Sequence, residues 1–153
     1  MDIDESTKVV EKTIRDLFRM QKLAVLSTHN AGQPYASLVA FAATEDLRHL
    51  YFATARTTRK YRNLSLDPRV AMLMDSRSNL DSDVHTAVAV TATGTAAEVS
   101  GQERDQGVQR YLARHPYLQD FIGAETCAFV RVTVKTYYLV SRFQQVMELH
   151  LLP

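Results

Sequence analysis

A mainly β domain with peripheral helices is what this sequence predicts, and three observations lead there. Six or seven runs rich in Val, Thr, Leu and aromatic residues alternate with turn-forming residues. The links between successive runs are short, which implies antiparallel pairing, because parallel strands need long crossovers. The chain has 153 residues, which suits one domain and not two. Many short antiparallel strands in a domain of this size favour a barrel or sandwich over a doubly wound sheet.

The elements follow in order. Residues 6–20 place Val9, Val10, Thr13, Ile14, Leu17 and Phe18 on one helical face, with Lys8, Glu11, Lys12, Arg15 and Arg19 opposite. At Leu23 the period changes, and LAVLST (23–28) reads as a strand. Asn30 to Gln33 is turn chemistry, and PYASLVAFAAT (34–44) reads as the return strand. Residues 50–53 form a short third strand. Residues 54–66 are polar and basic and read as a short helix, closed by Asp67-Pro68 because the residue before proline is pushed out of the helical region. VAMLM (70–74) is a fourth strand, 75–83 a polar loop, and 87–99 a long fifth strand. Residues 101–114 are helical in composition and stop at His115-Pro116, and 117–122 make another helical turn ended by Gly123. Residues 128–140 alternate as a half-buried strand, and 143–149 form a last one. A single domain over 1–153, with an N-terminal helix over 1–20, is the expected organisation.

Composition excludes several classes. One cysteine, Cys127, permits no intramolecular disulfide and points to a reducing compartment. No run approaches the ~18 apolar residues of a membrane span, and residues 1–5 are acidic with no apolar stretch behind them, unlike a secretory signal. A cytoplasmic protein without membrane partners is expected. Lys plus Arg number 18 against 17 Asp plus Glu, a balance unlike that of a general nucleic-acid binder. The five glycines are too scattered for a dinucleotide or Walker loop. The five histidines read as surface or turn residues and have no metal-ligand spacing, so no metal is expected.

The informative segment is FATARTTRKYRNL (52–64). Arg56, Arg59, Lys60 and Arg62 put four cations within seven residues. Thr57 and Thr58 stand where a helix begins and can cap its free N–H groups. Cations in that first turn oppose the helix macrodipole. A phosphate would offset this, accepting from the amides, the hydroxyls and the cations together. The alternative is a solvated basic face paired with Asp67 or Asp75.

These residues also carry a resemblance. A strand, then Thr54-x-x-x-Thr58-Arg59-Lys60, then Asn63-Leu64 and Asp67-Pro68-Arg69-Val70, resembles the phosphate-binding segment of the pyridoxamine 5'-phosphate oxidase-related flavin proteins. Residues 34–41, 90–96 and 137–143 resemble the strand along the flavin ring, the following long strand and the closing strand, so the likeness spans roughly 7–149. The resemblance implies a six- to seven-stranded antiparallel split β-barrel homodimer with FMN in clefts at the subunit interface. It implies that Arg59 and Lys60 bind the FMN phosphate, helped by Thr58 and Thr57, and that Thr54 meets the ribityl-phosphate region. Ser37, Leu38 and Val39 would face the isoalloxazine through backbone groups. Arg77, Ser78 and Asn79 would add polar contacts, the alternative for Arg77 being an ion pair with Asp75 or Asp81. Arg142 would approach the cofactor or a substrate anion, the alternative being a solvent-facing strand residue.

The chain also departs from the oxidase pattern. His115 stands where the oxidase has a substrate-phosphate Arg after Tyr111. Arg142-Phe143-Gln144 lacks the oxidase's His, and residues 88–90 lack its flavin-contacting Gln. The expected function is therefore an FMN oxidoreductase acting on a small molecule or electron donor, other than pyridoxamine-phosphate oxidation. A flavin-binding module without turnover, or the same fold with a deazaflavin or heme, is the alternative.

Overall fold

The computed structural model describes residues 3–142 and 144–153. Helix α1 (Ile3–Met20) buries Val10, Ile14, Leu17 and Phe18 against the barrel, and Phe18 meets Phe41 edge-on at 5.3 Å. Val9, expected on that face, is 48% exposed and lies off it. Strands β1 (Leu23–Asn30) and β2 (Gln33–Ala40) form a hairpin in unbroken register from Leu23↔Ala40 to Asn30↔Gln33. Its two-residue turn, Ala31-Gly32, has positive φ at both positions (50° and 87°), the hand that matches strand twist.

The return strand expected over 34–44 is broken at Phe41, whose N–H donates instead to the Lys22 carbonyl at 3.2 Å. β3 (Ala42–Ala43) resumes it and pairs with β4 (His49–Ala55). This split makes eight strands where six or seven are expected. Next come α2 (Arg59–Leu66), β5 (Arg69–Asp75), α3 (Asp83–Thr86), β6 (Ala89–Glu98) and α4 (Gly101–Arg114). A 3-10 turn (Pro116–Leu118), α5 (Gln119–Gly123), β7 (Cys127–Ser141) and β8 (Gln145–His150) complete the chain order. The helix expected from residue 54 starts only at Arg59, because Thr54 and Ala55 still pair with Ala128 and Cys127 as the end of β4. The polar loop expected over 75–83 runs into α3.

The sheet runs β2-β1-β5-β6-β7-β4-β3, antiparallel throughout, with β8 added to β7. The two ends of that path, β2 and β3, are neighbours in the chain across Phe41. The sheet therefore curls until its ends meet, a mainly β barrel with peripheral helices. β7 organises it. Its first half pairs with β4, its last six residues with β8, and β6 lies along its other edge. The β6–β7 register shifts between Thr93 and Gly94. A Cβ at Gly94 would sit 2.1 Å from the Thr133 carbonyl oxygen, so this close crossing requires glycine.

Two apolar layers flank the sheet. Leu26, Phe41, Leu50, Phe52, Met72, Val90, Val130, Val132 and Tyr137 belong to the barrel core with the α1 face. On the other side of β4 and β7, Tyr51, Ala53, Phe129 and Cys127 pack with Val99, Tyr111 and Ile122 under α4 and α5. Residues 127–130 are consequently buried on both faces, where sequence alternation predicts a half-buried strand. Phe129 and Tyr137 are core, Tyr138 is half-buried, and Phe121 is exposed. Phe143, the expected start of the last strand, lies outside the described residues.

Candidate functional site

Helix α2 is held in place from both ends. At its start, Thr58 is the N-cap in extended conformation, and its Oγ1 accepts from the Tyr61 N–H at 3.3 Å. The same hydroxyl lies 2.8 Å from Thr54 Oγ1 and 2.9 Å from the Ala55 carbonyl. Thr54, buried at the end of β4, thereby ties the cap to the sheet. In the middle, buried Asn63 donates to Thr28 Oγ1 on β1 at 3.1 Å, and Leu64 enters the barrel core. These anchors set the exposed face of α2 beside the β1–β2 hairpin.

Between them lies an open cleft of about 1120 Å³. One wall is Thr57, Thr58, Arg59, Arg62, Ser65 and Leu66; the other is Asn30, Gln33, Pro34 and Tyr35. The Arg59 guanidinium carbon lies 5.5 Å from the centre of the Tyr35 ring, a cation–π contact. The lining contains no Asp, Glu, His or Cys.

The charges around this cleft bear on the two readings of the basic segment. Arg56 is neutralised, donating to Glu98 at 2.9 Å and to the Glu125 carbonyl at 2.7 Å. The carboxylates that a solvated basic face would use are engaged elsewhere. Asp67 pairs with Arg69 at 2.7 Å and His29 at 3.0 Å, and Arg69 holds its carboxyl well below the usual range. Asp75 pairs with Arg77 at 2.9 Å. Among the described residues, Arg59, Lys60 and Arg62 have no acidic partner, and α2 has no acid in its first turn. Each cation near the helix start costs about 0.3–1 kcal/mol against the macrodipole. The Arg59–Arg62 pair, one turn apart, adds roughly 0.2–0.5 kcal/mol of repulsion. The cation–π contact with Tyr35 offsets part of the cost at Arg59; an anion in the cleft would offset more.

The structure brings Thr57, Thr58 and Arg59 to the cleft. Thr54 supports it from behind, and Lys60 lies on the same helical turn but outside the lining. Ser37, Leu38 and Val39 continue β2 beyond Tyr35 and do not line it. Strand alternation sends Leu38 outward, 64% exposed, while Val39 is buried. Ser37 Oγ is buried without a hydrogen-bond partner. Arg77 takes the ion-pair alternative with Asp75. The Ser78 hydroxyl and amide and the Asn79 amide donate to the Asp83 carboxylate at 2.7–3.0 Å. Burial opposes the charge on Asp83, but these donors outweigh it and hold the carboxyl below its usual range. Arg142 is exposed in the β7–β8 turn with φ 45°. None of Arg77, Ser78, Asn79 and Arg142 lines the cleft.

Sequence reasoning missed two features. Tyr35 lines the cleft, as does Arg62, counted in the basic segment but given no site role; the i, i+3 spacing of Arg59 and Arg62 is the signal that would have set it beside Arg59. His115, expected at the surface, is fully buried, and its Nε2 lies 2.8 Å from the Phe41 carbonyl. With Tyr111, whose hydroxyl donates to the Ala40 carbonyl at 3.2 Å, it satisfies the backbone at the β2–β3 break. Among the described residues, no group of three His, Cys, Asp or Glu could hold a metal ion, and no helix is long and apolar enough to cross a membrane.

Comparison with known proteins gives the following. The pyridoxamine 5'-phosphate oxidase family profile matches residues 10–141. No curated protein matches the chain. Among solved structures, a heme binding protein from Mycobacterium smegmatis is similar at TM-score 0.82 and 18% identity, over 92% of this chain and 57% of that one. The chain thus spans little more than half of that protein. The heme storage protein HutZ from Vibrio cholerae is similar at TM-score 0.71 and 19% identity, over 81% and 89% of the two chains. An FAD-binding protein from Mesorhizobium loti is similar at 0.69 and 16%, over 84% and 90%. At these identities the likeness is one of fold.

Proposed function

The chain belongs to the pyridoxamine 5'-phosphate oxidase family, with its split-barrel fold, and from that premise we propose that it is an FMN-binding oxidoreductase acting on a small molecule or electron donor. The observation that carries this is the basic face of α2, which lines a cleft, lacks acidic partners and begins at a capped helix N-terminus. Arg59 and the first amides of α2 would hold the phosphate, with the Thr57 and Thr58 hydroxyls as further donors and Lys60 adding charge from the same turn. Thr54 keeps the cap in position. The orphaned Ser37 Oγ, in the strand expected along the flavin ring, is a polar atom that a bound ring could satisfy.

Bound flavin would supply the electron or hydride transfer itself. The chain's part is binding and orientation, which agrees with a cleft that has no carboxylate, imidazole or thiol for acid–base work. A homodimer completes the proposal. The cleft is open, and Arg77, Ser78, Asn79 and Arg142, which lie outside its lining, would contribute across the interface or toward the ring.

Heme is the second reading, favoured by the names of two similar structures. Against it, no His, Cys or Met lines this cleft to hold iron, and of the usual heme ligands only tyrosines, Tyr35 and Tyr61, are in its lining. A thermal-unfolding titration tests the proposal. FMN raises the melting temperature of the protein, and Arg59→Ala/Lys60→Ala folds but loses that rise. No shift with FMN, or the same shift in the double variant, defeats it. Reduction by a nicotinamide donor followed by reoxidation separates an enzyme from a flavin-binding module without turnover.

A further inference from the structure

Strand alternation turns Arg69, Ala71, Thr93, Thr95, Thr133 and Lys135 away from the barrel core, onto the outer face of β5, β6 and β7. The register sets Arg69 beside Thr95, Thr95 beside Thr133 and Thr133 beside His49, so one row crosses four strands. Helices α4 and α5 pack on β4 and β7 around Tyr51, Ala53, Cys127 and Phe129, away from this row. Residues 151–153 form a side wall instead. The Leu151 N–H donates to the Lys135 carbonyl at 3.0 Å, and Arg48 donates to the Leu152 carbonyl. The result is a second cleft of about 1110 Å³, as large as the one along α2. Pro34 lines both, so the end of the β1–β2 hairpin stands between them.

Two properties of the lining define what fits. It is mostly apolar, with Leu151, Leu152 and Pro153 as a wall over a floor of small residues, Ala71, Thr93, Gly94 and Thr95. Its charges have one sign: Arg48, Arg69 and Lys135 line it, and no Asp or Glu does. Asp67, outside the lining, holds Arg69 and His29, and Asp46 lies 4.0 Å from Arg48. Burial, helped by Arg131, favours the neutral form of His49. Lys135 is exposed on β7 and has no acidic partner among the described residues. We propose that this cleft binds a fatty-acid-like molecule, its apolar body over the floor from Ala71 to Thr95 and its carboxylate at Lys135. Burial of the apolar body supplies the affinity, and Lys135 selects the head group. The site is separate from the cleft along α2 and does not rest on the flavin reading.

Displacement of a fluorescent apolar anion, anilinonaphthalene sulfonate, by decanoate and by decanol tests it. Decanoate displaces the probe from the wild-type protein, and saturating FMN leaves the probe in place. Lys135→Ala weakens decanoate about fivefold, the loss of one charge-assisted contact at a half-open site, and leaves decanol within about twofold. Lys135→Arg, which keeps the charge, retains decanoate. Thr95→Trp fills the floor and weakens both ligands about tenfold, and Thr95→Leu does so more mildly should the tryptophan variant fold poorly. Failure of decanoate to displace the probe, an equal loss of both ligands in Lys135→Ala, or displacement of the probe by FMN overturns the site. So does a second copy seated on this face, seen as dimers that bind no decanoate and that Thr95→Trp converts to single chains. Absence of FMN binding defeats the flavin reading and leaves this site standing.

Discussion

Thr58 joins three elements through one side chain. Its hydroxyl caps α2, reaches the Ala55 carbonyl and meets Thr54 Oγ1 at the end of β4. Thr58→Ala therefore loses the cap and the tie to the sheet, a cost of about 1 kcal/mol. Thr58→Ser keeps the hydroxyl and most of the stability. Chemical denaturation of the three proteins checks this, and equal midpoints for Ala and wild type would contradict it. At this scale part of the site was legible in the sequence. Thr57, Thr58 and Arg59 are close neighbours, and helix-start chemistry is local, so residue order predicted their grouping. Lys60 shows the limit. A helix turns about 100° per residue, so the side chain next to Arg59 leaves the cleft while Arg62 enters it. The solvated-face alternative was equally open in sequence, because whether Asp67 and Asp75 are taken depends on where Arg69, His29 and Arg77 lie in the fold.

The break between β2 and β3 shows how one element is shaped by another far along the chain. α4 and the turn after it press four side chains onto this segment. Tyr111 and His115 bond to the Ala40 and Phe41 carbonyls, Arg110 donates to the Ala43 carbonyl at 3.3 Å, and Arg114 lies over the Phe41 ring at 5.8 Å while donating to the Gln21 carbonyl before β1 at 2.6 Å. The span of α4 itself was readable, since Gly101, with φ 63°, and Pro116 mark its ends locally. The break at Phe41 was not, because its hydrogen-bond partner His115 lies 74 residues away.

His115 also gives the clamp a pH dependence. Burial pushes its pKa down, and nearby Arg114 and Lys22 add to this, while the Phe41 bond works the other way. The neutral ring is thus the form the fold prefers. Below the free-histidine pKa of 6.5 the unfolded chain takes up a proton that the folded chain resists, so stability is present above that pH and declines beneath it. The melting temperature should fall between about pH 7.5 and about pH 5.5. His115→Gln, although less stable throughout, should fall less over that range. His49, lowered chiefly by burial, keeps the variant's slope from vanishing. An unchanged slope in His115→Gln would contradict this account of the clamp.

For the whole molecule, the barrel was legible because alternation, turns and short links are local signals repeated along the chain. Its closure was not, since that depends on β2 and β3 being one strand bent at Phe41 and on Gly94 letting β6 cross close to β7. The two-sided burial of residues 127–130 follows from the helices packed outside β4 and β7, which strand alternation does not encode. The same scale decides the proposed function. Within a single chain, the cleft gathers Thr57, Thr58 and Arg59, groups proposed to hold a phosphate, while Lys60, Arg77, Ser78, Asn79 and Arg142 lie outside its lining. A flavin held between two copies is the arrangement that would let them contribute. Native mass spectrometry of the purified protein, with the released ligand weighed in the same experiment, tests this most directly. The account predicts a species of two 17.3 kDa chains carrying two flavin molecules. A single chain without ligand, or chains carrying heme, would contradict it.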